Sequence, residues 1–395
     1  MATIAWCESV KQANSILSSY GTTVFEVMSR LAIEHNAINL GQGFPDEDGP
    51  VDVRQAAADA LIAGPNQCPP MMGIPELREV VALHSKHHYD LDVDWQTEVM
   101  VASGATEVLT SCMLGLIDPG DEVVLIEPLY DCYLPIIRRA GGVPKMVRIE
   151  PPGWVLPRDT LAMAFSQNTK LVLLNNPMNP AAKVFTDDEL AFIADLAIAH
   201  DAYVVCDEVY EHIVFDGRGH TPLISLPGMR DRAIKIGSAG KTFSLTGWKV
   251  GYATAAPEVL APIAKAHQFV TFTTPPNLQK AVAYGLGKDD AYFKGLSDEM
   301  QSKRDRFAAG LNKLGFGVID CQGTYFMFAD IRPLGFDGDD EEFCRHITTE
   351  AGVTAVPVSA FYLENGPKYF VRFCFSKKIE VLDAAIDRLQ LHFKG

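Results

Sequence analysis

The sequence predicts an α/β fold: a mostly parallel sheet sandwiched by helices, joined to a smaller α+β domain. Three observations predict it. Short, β-branched apolar runs alternate with amphipathic stretches through the middle of the chain. That alternation implies crossover connections, which parallel strands require. The last hundred residues then change pattern, with a long helical stretch, several strand-like segments and a final helix.

The elements follow in order. EVMVAS (98–103), EVVLIE (122–127), LVLLN (171–175) and YVVCD (203–207) read as strands, apolar throughout their centres and bounded by turn residues. Amphipathic helices are expected near 105–117, 130–141 and 186–199. The last of these opens on Thr186 with Glu189 three positions on, the pattern of a capping box. A helix near 288–313 precedes GVIDCQGTYFMFADI (317–331), PVSAFY (357–362) and KYFVRFCFS (368–376), all read as strands, and a helix over 378–393 closes the chain. The expected division is a large domain over 45–287 and a small domain combining 1–44 with 288–395, with a cleft between them.

Composition narrows the function. A chain of 395 residues suits two domains, and 48% hydrophobic with 21% charged residues is globular. Net charge is −16 with no basic run, which argues against nucleic acid. No apolar stretch reaches the ~18–20 residues needed to span a bilayer. The first residues lack a basic region followed by an apolar run, so a cytoplasmic protein is expected. The eight cysteines, at 7, 68, 112, 132, 206, 321, 344 and 374, form no CxxC pair. They read as free thiols, with no metal site and no disulfide framework.

Five segments carry candidate chemistry. In SAGKTFSLTGWKVGY (238–252), Lys241 sits among small and hydroxyl residues with Lys249 eight positions on. One amine could react with an aldehyde while the other neutralises a phosphate; surface lysines on a glycine-rich loop are the alternative. In VVCDEVYEH (204–212), Asp207 ends an apolar strand and could pair with a protonated ring nitrogen or cap the next helix, and Tyr210 lies three residues on. SGATE (103–107) places Gly104 before a helix start, where backbone N–H groups and the helix dipole attract phosphate. Asn179 in NNPMNPAAKVF (175–185) follows a strand, as a ring-oxygen ligand or part of a rigid turn. Arg372 in KYFVRFCFS lies in an apolar strand; its fork suits a carboxylate, from a ligand or from a structural salt bridge.

Taken together and in this order, these segments and NLGQGFPD (39–46) resemble the fold-type-I, class I/II pyridoxal-phosphate aminotransferases. The closest resemblance is to the kynurenine, glutamine and methionine aminotransferase branch, over about residues 22–393. It implies pyridoxal 5′-phosphate as cofactor, carried as a Schiff base on Lys241, which also relays the proton. Asp207 would pair with the pyridine nitrogen, Asn179 and Tyr210 with the phenolate oxygen, and Tyr130 would stack on the ring. Ala105, Thr106, Ser238 and Lys249 would hold the phosphate. Arg372, helped by Asn179 and the backbone at Gly43, would bind the substrate carboxylate. Phe25 and, from a partner subunit, Phe272 would line the side-chain pocket. Similar enzymes are homodimers.

The resemblance implies ping-pong transfer of an amino group from an L-amino acid to a 2-oxo acid. Cysteine-S-conjugate β-elimination and N-acyl diamino acid transamination are the alternatives on the same chemistry. Two positions depart from the family pattern: Cys68 replaces a tyrosine that reaches the partner's phosphate, and Ala182 replaces a glycine. If the turn at 182 needs positive φ, alanine strains it.

Overall fold

The structure is a computed structural model that describes residues 11–394; Cys7 and the start of the chain lie outside it. Seven strands form the main sheet: β1 (Val99–Ala102), β2 (Glu122–Glu127), β3 (Val143–Arg148), β4 (Thr169–Asn175), β5 (Tyr203–Asp207), β6 (Ala233–Ser238) and β7 (Gly251–Thr254). Their order is β1-β7-β6-β5-β4-β2-β3. All neighbours pair in parallel except β7, which is antiparallel to both β1 and β6. The reversal follows from the short link between β6 and β7, which carries only two small helical turns and no crossover helix.

The helices that matter for the site are α1 (Val24–Glu34), α2 (Pro75–Tyr89), α3 (Ala105–Leu116), α4 (Tyr133–Ala140), α5 (Asp187–Ala199), α6 (Pro257–Val270), α7 (Asp290–Leu314) and α8 (Ile379–Lys394). Alternate residues of each central strand enter opposite cores. Leu171, Leu173, Val205, Ile234 and Ile236 pack with α3 and α6, whereas Val172, Leu174, Val204 and Cys206 pack with α5. Burial on both faces explains why these strands read as unbroken apolar runs. The capping box at Thr186 and Glu189 is formed in both directions.

A second sheet, antiparallel throughout, contains β8 (Gly317–Val318), β9 (Phe326–Asp330), β10 (Val356–Pro357) and β11 (Phe370–Cys374), in the order β10-β11-β9-β8. Its core, with α7 and α8, also takes in Val209, Tyr210, Ile213 and Phe215 from just beyond β5. Ile38–Asn39 pairs in parallel with Val353–Thr354, so the N-terminal segment joins this part of the molecule.

The structure corrects several sequence expectations. PVSAFY is not a strand: after Val356–Pro357 the chain turns through a 3₁₀ helix, Val358–Phe361, which brings Phe361 against Arg372. GVIDCQGTYFMFADI is two strands with a loop between, and Glu98 ends a helical turn instead of starting β1. Strands β3, β6 and β7 had no clear signal. Edge strand β3 is mostly half-buried, β6 carries the buried Lys235, and β7 is short and built largely of small residues.

Candidate active site

Five strand ends of the main sheet deliver the candidate residues to one place. Gly104 follows β1, Tyr130 follows β2, Asn175 ends β4, Asp207 ends β5 and Ser238 ends β6. These are carboxyl ends, where ligands of parallel sheets sit. Because β7 runs back, the link from Ser238 to Gly251 starts and finishes at this same edge, so Lys241 and Lys249 both return to it. A cavity of about 200 Å³ is lined by Ala105, Thr106, Tyr130, Asn179, Asp207, Tyr210, Ser238, Lys241 and Lys249. All of the expected cofactor residues therefore meet.

At one end lies an anion cradle. Gly104 has φ +81 and precedes α3, whose first N–H groups have no helical partner. A Cβ on Gly104 would sit 3.3 Å from Cε of Lys249, so a side chain there would crowd the ammonium. Lys249 is held in the left-handed region at φ 55. Backbone donors, helix dipole and lysine converge as phosphate binding requires.

At the other end is Asp207, 5% exposed. Its Oδ2 accepts a hydrogen bond from the Tyr133 hydroxyl at 2.5 Å, while Oδ1 is buried with no partner. Burial pushes the carboxyl up to about 6, against the pull of Tyr133, the Val209 backbone N–H and Lys241. A buried acceptor without a donor is costly. A protonated pyridine nitrogen is the donor that would satisfy it, so the residues fit pyridoxal phosphate at both ends of the cavity.

Lys241 Nζ donates to the Tyr325 hydroxyl at 2.9 Å, and that hydroxyl donates its own proton to the Gly43 carbonyl at 2.9 Å. Tyr325 also packs edge-on against Tyr210, with centroids 5.2 Å apart. Gly43 itself is required by close approach, since a Cβ there would lie 2.6 Å from the Phe326 ring.

A second cavity of about 180 Å³ adjoins, lined by Phe25, Gly43, Tyr130, Asn179, Lys241 and Arg372 among others. Arg372 is 2% exposed. Its Nη1 donates to Asn179 Oδ1 at 3.1 Å and its Nη2 to the Gly41 carbonyl at 2.9 Å, but Nε has no partner. Phe326, Phe361 and Phe25 surround the guanidinium at 4.0, 4.8 and 5.2 Å from their ring centroids. Among the described residues no carboxylate lies within salt-bridge distance of it, so the structural ion pair is not the explanation. Burial lowers its pKa to about 10, which still leaves it cationic at neutral pH. Asp131 lines the same cavity and feels the Arg372 charge without pairing with it, and a buried cation with no direct ion-pair partner is the arrangement of a carboxylate receptor.

Phe272 lies elsewhere. It is 43% exposed with φ 71 and lines neither cavity. Cys68 is likewise exposed. Ala182 is buried with φ 57, so the positive φ considered from sequence is present. Sequence reasoning missed Tyr133 and Tyr325. Tyr133 lies three residues past Tyr130, in the first turn of α4, and that spacing was the available signal. Nothing local marks Tyr325.

Fold and site together define a pyridoxal-phosphate-dependent enzyme that transfers amino groups. Comparison with known proteins agrees. The family model for aminotransferase class I and II matches residues 35–389, and the chain belongs to that family. It is 44% identical over 388 residues to a probable N-succinyldiaminopimelate aminotransferase of Mycobacterium tuberculosis, covering 95% of this chain and 98% of the relative. It is 39% identical over 412 residues to the kynurenine–oxoglutarate transaminase of Dictyostelium discoideum, covering 94% of each. The crystal structure of an Escherichia coli protein with a methionine aminotransferase function superposes with a TM-score of 0.94 at 38% identity, over 97% of this chain and 100% of that one.

Proposed function

We propose that this aminotransferase moves the amino group of an L-amino acid to a 2-oxo acid by a ping-pong mechanism, with Lys241 as its catalytic residue and Arg372 as its carboxylate receptor. The observation that carries the reading is the buried guanidinium of Arg372, with no direct ion-pair partner and its Nε unsatisfied, lining the same cavity as Lys241. Bound pyridoxal phosphate supplies an aldehyde that captures the amine and a ring that takes up the electron pair from the α-carbon.

The chain's own residues do the rest. Arg372 fixes the carboxylate and thereby the α-carbon. Lys241 moves the proton at that carbon; Tyr325, whose single proton is engaged by Gly43, receives an N–H of the lysine and orients it. Asp207, steadied by Tyr133, would keep the ring nitrogen protonated. Arg372 occupies Asn179 Oδ1, which leaves the Asn179 amide N–H groups for the phenolate oxygen and links substrate site to cofactor site. Phe25, Phe326 and Phe361 exclude water around the ion pair. Ala105, Thr106, Ser238 and Lys249 would hold the phosphate, and Tyr130 would lie against the cofactor.

Lys241→Ala is expected to abolish turnover with far-UV circular dichroism unchanged. Undiminished transamination by a folded variant would remove the core of the reading. A donor screen against a fixed 2-oxo acid identifies the side chain preferred. The 44% identical relative supports a second reading, an N-acylated diamino acid substrate. Glutamate outperforming glutamine, methionine and kynurenine as donor would select it.

The assembly belongs to the same proposal: a homodimer whose partner's Phe272 reaches the side-chain pocket. Support comes from the exposed apolar residues Val51, Leu61, Ile62, Phe269 and Phe272, which a partner subunit would cover. Light scattering on the purified protein tests it. The two-domain division at 45–287 is supported by the separate sheets, strands β1 to β7 falling inside it and β8 to β11 outside. A reducing, cytoplasmic setting is supported by seven unpaired cysteines. Among the described residues no helix is long and apolar enough to cross a membrane.

A further inference from the structure

A second constellation lies outside the catalytic cavity, on the far side of the segment that follows β5. Helix α2 carries His84 and His88, four residues apart and so on one face of the helix. His212, two residues beyond Tyr210, approaches them from the segment after β5. One nitrogen from each of the three rings lies within 4.8 Å of the others. Nε2 of His84 and Nε2 of His212 are 2.9 Å apart. The His88 side chain has no hydrogen bond among the described residues. Phe293 floors the group, its ring centroid 5.4, 4.9 and 4.5 Å from those of His84, His88 and His212.

We propose that His84, His88 and His212 form a site for one divalent transition-metal ion of the Zn²⁺, Co²⁺ or Ni²⁺ type. Imidazole is the ligand these ions share, and two histidines at i and i+4 on a helix face with a third from another element is a tridentate donor set. Zinc–nitrogen bonds of about 2.0–2.1 Å at tetrahedral angles place the nitrogens about 3.3 Å apart, so the His84–His212 pair need open by only a few tenths of an ångström. A surface groove of about 430 Å³ lined by His84, His87 and His88 adjoins the cluster and would give the ion a path in and a place for water.

The charge around the site permits a cation. Lys235, a buried ammonium whose charge reaches His84, is neutralised by Glu211 at 2.5 Å, and Glu211 also accepts from Tyr89 at 2.7 Å. The His84–His212 hydrogen bond now uses one Nε2–H. Ligation moves that proton to Nδ1 of the same ring, a tautomer change with no net proton release. Occupation would tie α2 to the segment that carries Tyr210, so the ion's role is to stabilise the wall of the catalytic cavity.

The test uses untagged holoenzyme, dialysed against chelator and then chelator-free buffer, and titrated with Co²⁺. One ion per chain is expected, with the visible bands of tetrahedral Co²⁺ and displacement by Zn²⁺; Zn²⁺ should also raise the melting temperature. His88→Ala and His212→Gln are each expected to weaken binding at least tenfold and to remove the thermal shift. Transaminase activity of His88→Ala should stay at the parent level. His87→Ala should leave affinity unchanged, because His87 pairs at 2.6 Å with Asp290 on the exposed rim. If His212→Gln fails to fold, the half-exposed His88 carries the test alone. Absence of stoichiometric binding, or parent-like affinity in His88→Ala, would overturn the proposal. So would a loss in His87→Ala while a folded His212→Gln binds normally, which places the ion at His87, His88 and Asp290.

Discussion

Asp207→Asn is expected to flatten the pH dependence of the apoenzyme's stability while crippling the holoenzyme. Burial raises the Asp207 carboxyl from 3.8 to about 6 in the folded chain. A raised carboxyl favours the folded state below its unfolded pKa, and that advantage is lost as pH rises through the folded value. At about 1.4 kcal/mol per pH unit the full difference is about 3 kcal/mol. Between about pH 5 and about pH 7.5 the linkage relation gives a loss of about 1.5 kcal/mol from this residue alone. Asparagine removes that slope. It also leaves an amide N–H where Oδ1 stood, at roughly 1–3 kcal/mol, so stability at neutral pH changes little.

The assay is urea unfolding of parent and variant apoenzymes at both pH values, compared as a difference of differences so that other titrating groups cancel. Cofactor affinity should fall at least a hundredfold, as expected when one partner of a buried charge pair is removed at ~3–5 kcal/mol. Parallel pH dependences in the two apoenzymes, or parent-like cofactor binding by the variant, would refute the reasoning.

Three further outcomes follow from the site. Arg372→Ala should raise KM for donor and acceptor at least tenfold, since a charge-assisted hydrogen bond contributes about 1.5–3 kcal/mol; Arg372→Lys should recover only part, and parent-like steady-state kinetics in either variant would remove Arg372 from the substrate site. Ala182→Gly should shift the denaturation midpoint very little. Relief of a left-handed alanine, ~1–2 kcal/mol, is offset by a lost buried methyl of ~0.8 kcal/mol and by ~0.4–1 kcal/mol of glycine chain entropy; a change beyond about 2 kcal/mol either way would contradict that balance. Cys68→Tyr should slow cofactor loss on dialysis of the dimer, because a phenol donates to phosphate better than a thiol. Unchanged affinity in a correctly assembled dimer would leave the tyrosine comparison empty.

The residues legible in the sequence are those whose chemistry contradicts their surroundings. Asp207 closing an apolar run, Arg372 inside an alternating strand and Lys241 in a glycine-flanked turn each announce a buried polar group that needs a partner. Strands β2, β4 and β5 were legible for a related reason: both faces are buried, so the run is apolar without interruption. Local pattern also set the capping box at Thr186. What the tertiary structure alone decided are the partners. Tyr133 meets Asp207 from 74 residues away and Tyr325 meets Lys241 from 84, and a buried tyrosine carries no local mark of which group its hydroxyl will reach. The reversal of β7 was equally hidden. It depends on a link too short for a crossover, yet it returns Lys249 to the cradle at Gly104. His84, His88 and His212 show the same division: helical period places two rings together, but only the packing of α2 against the chain beyond β5 adds the third.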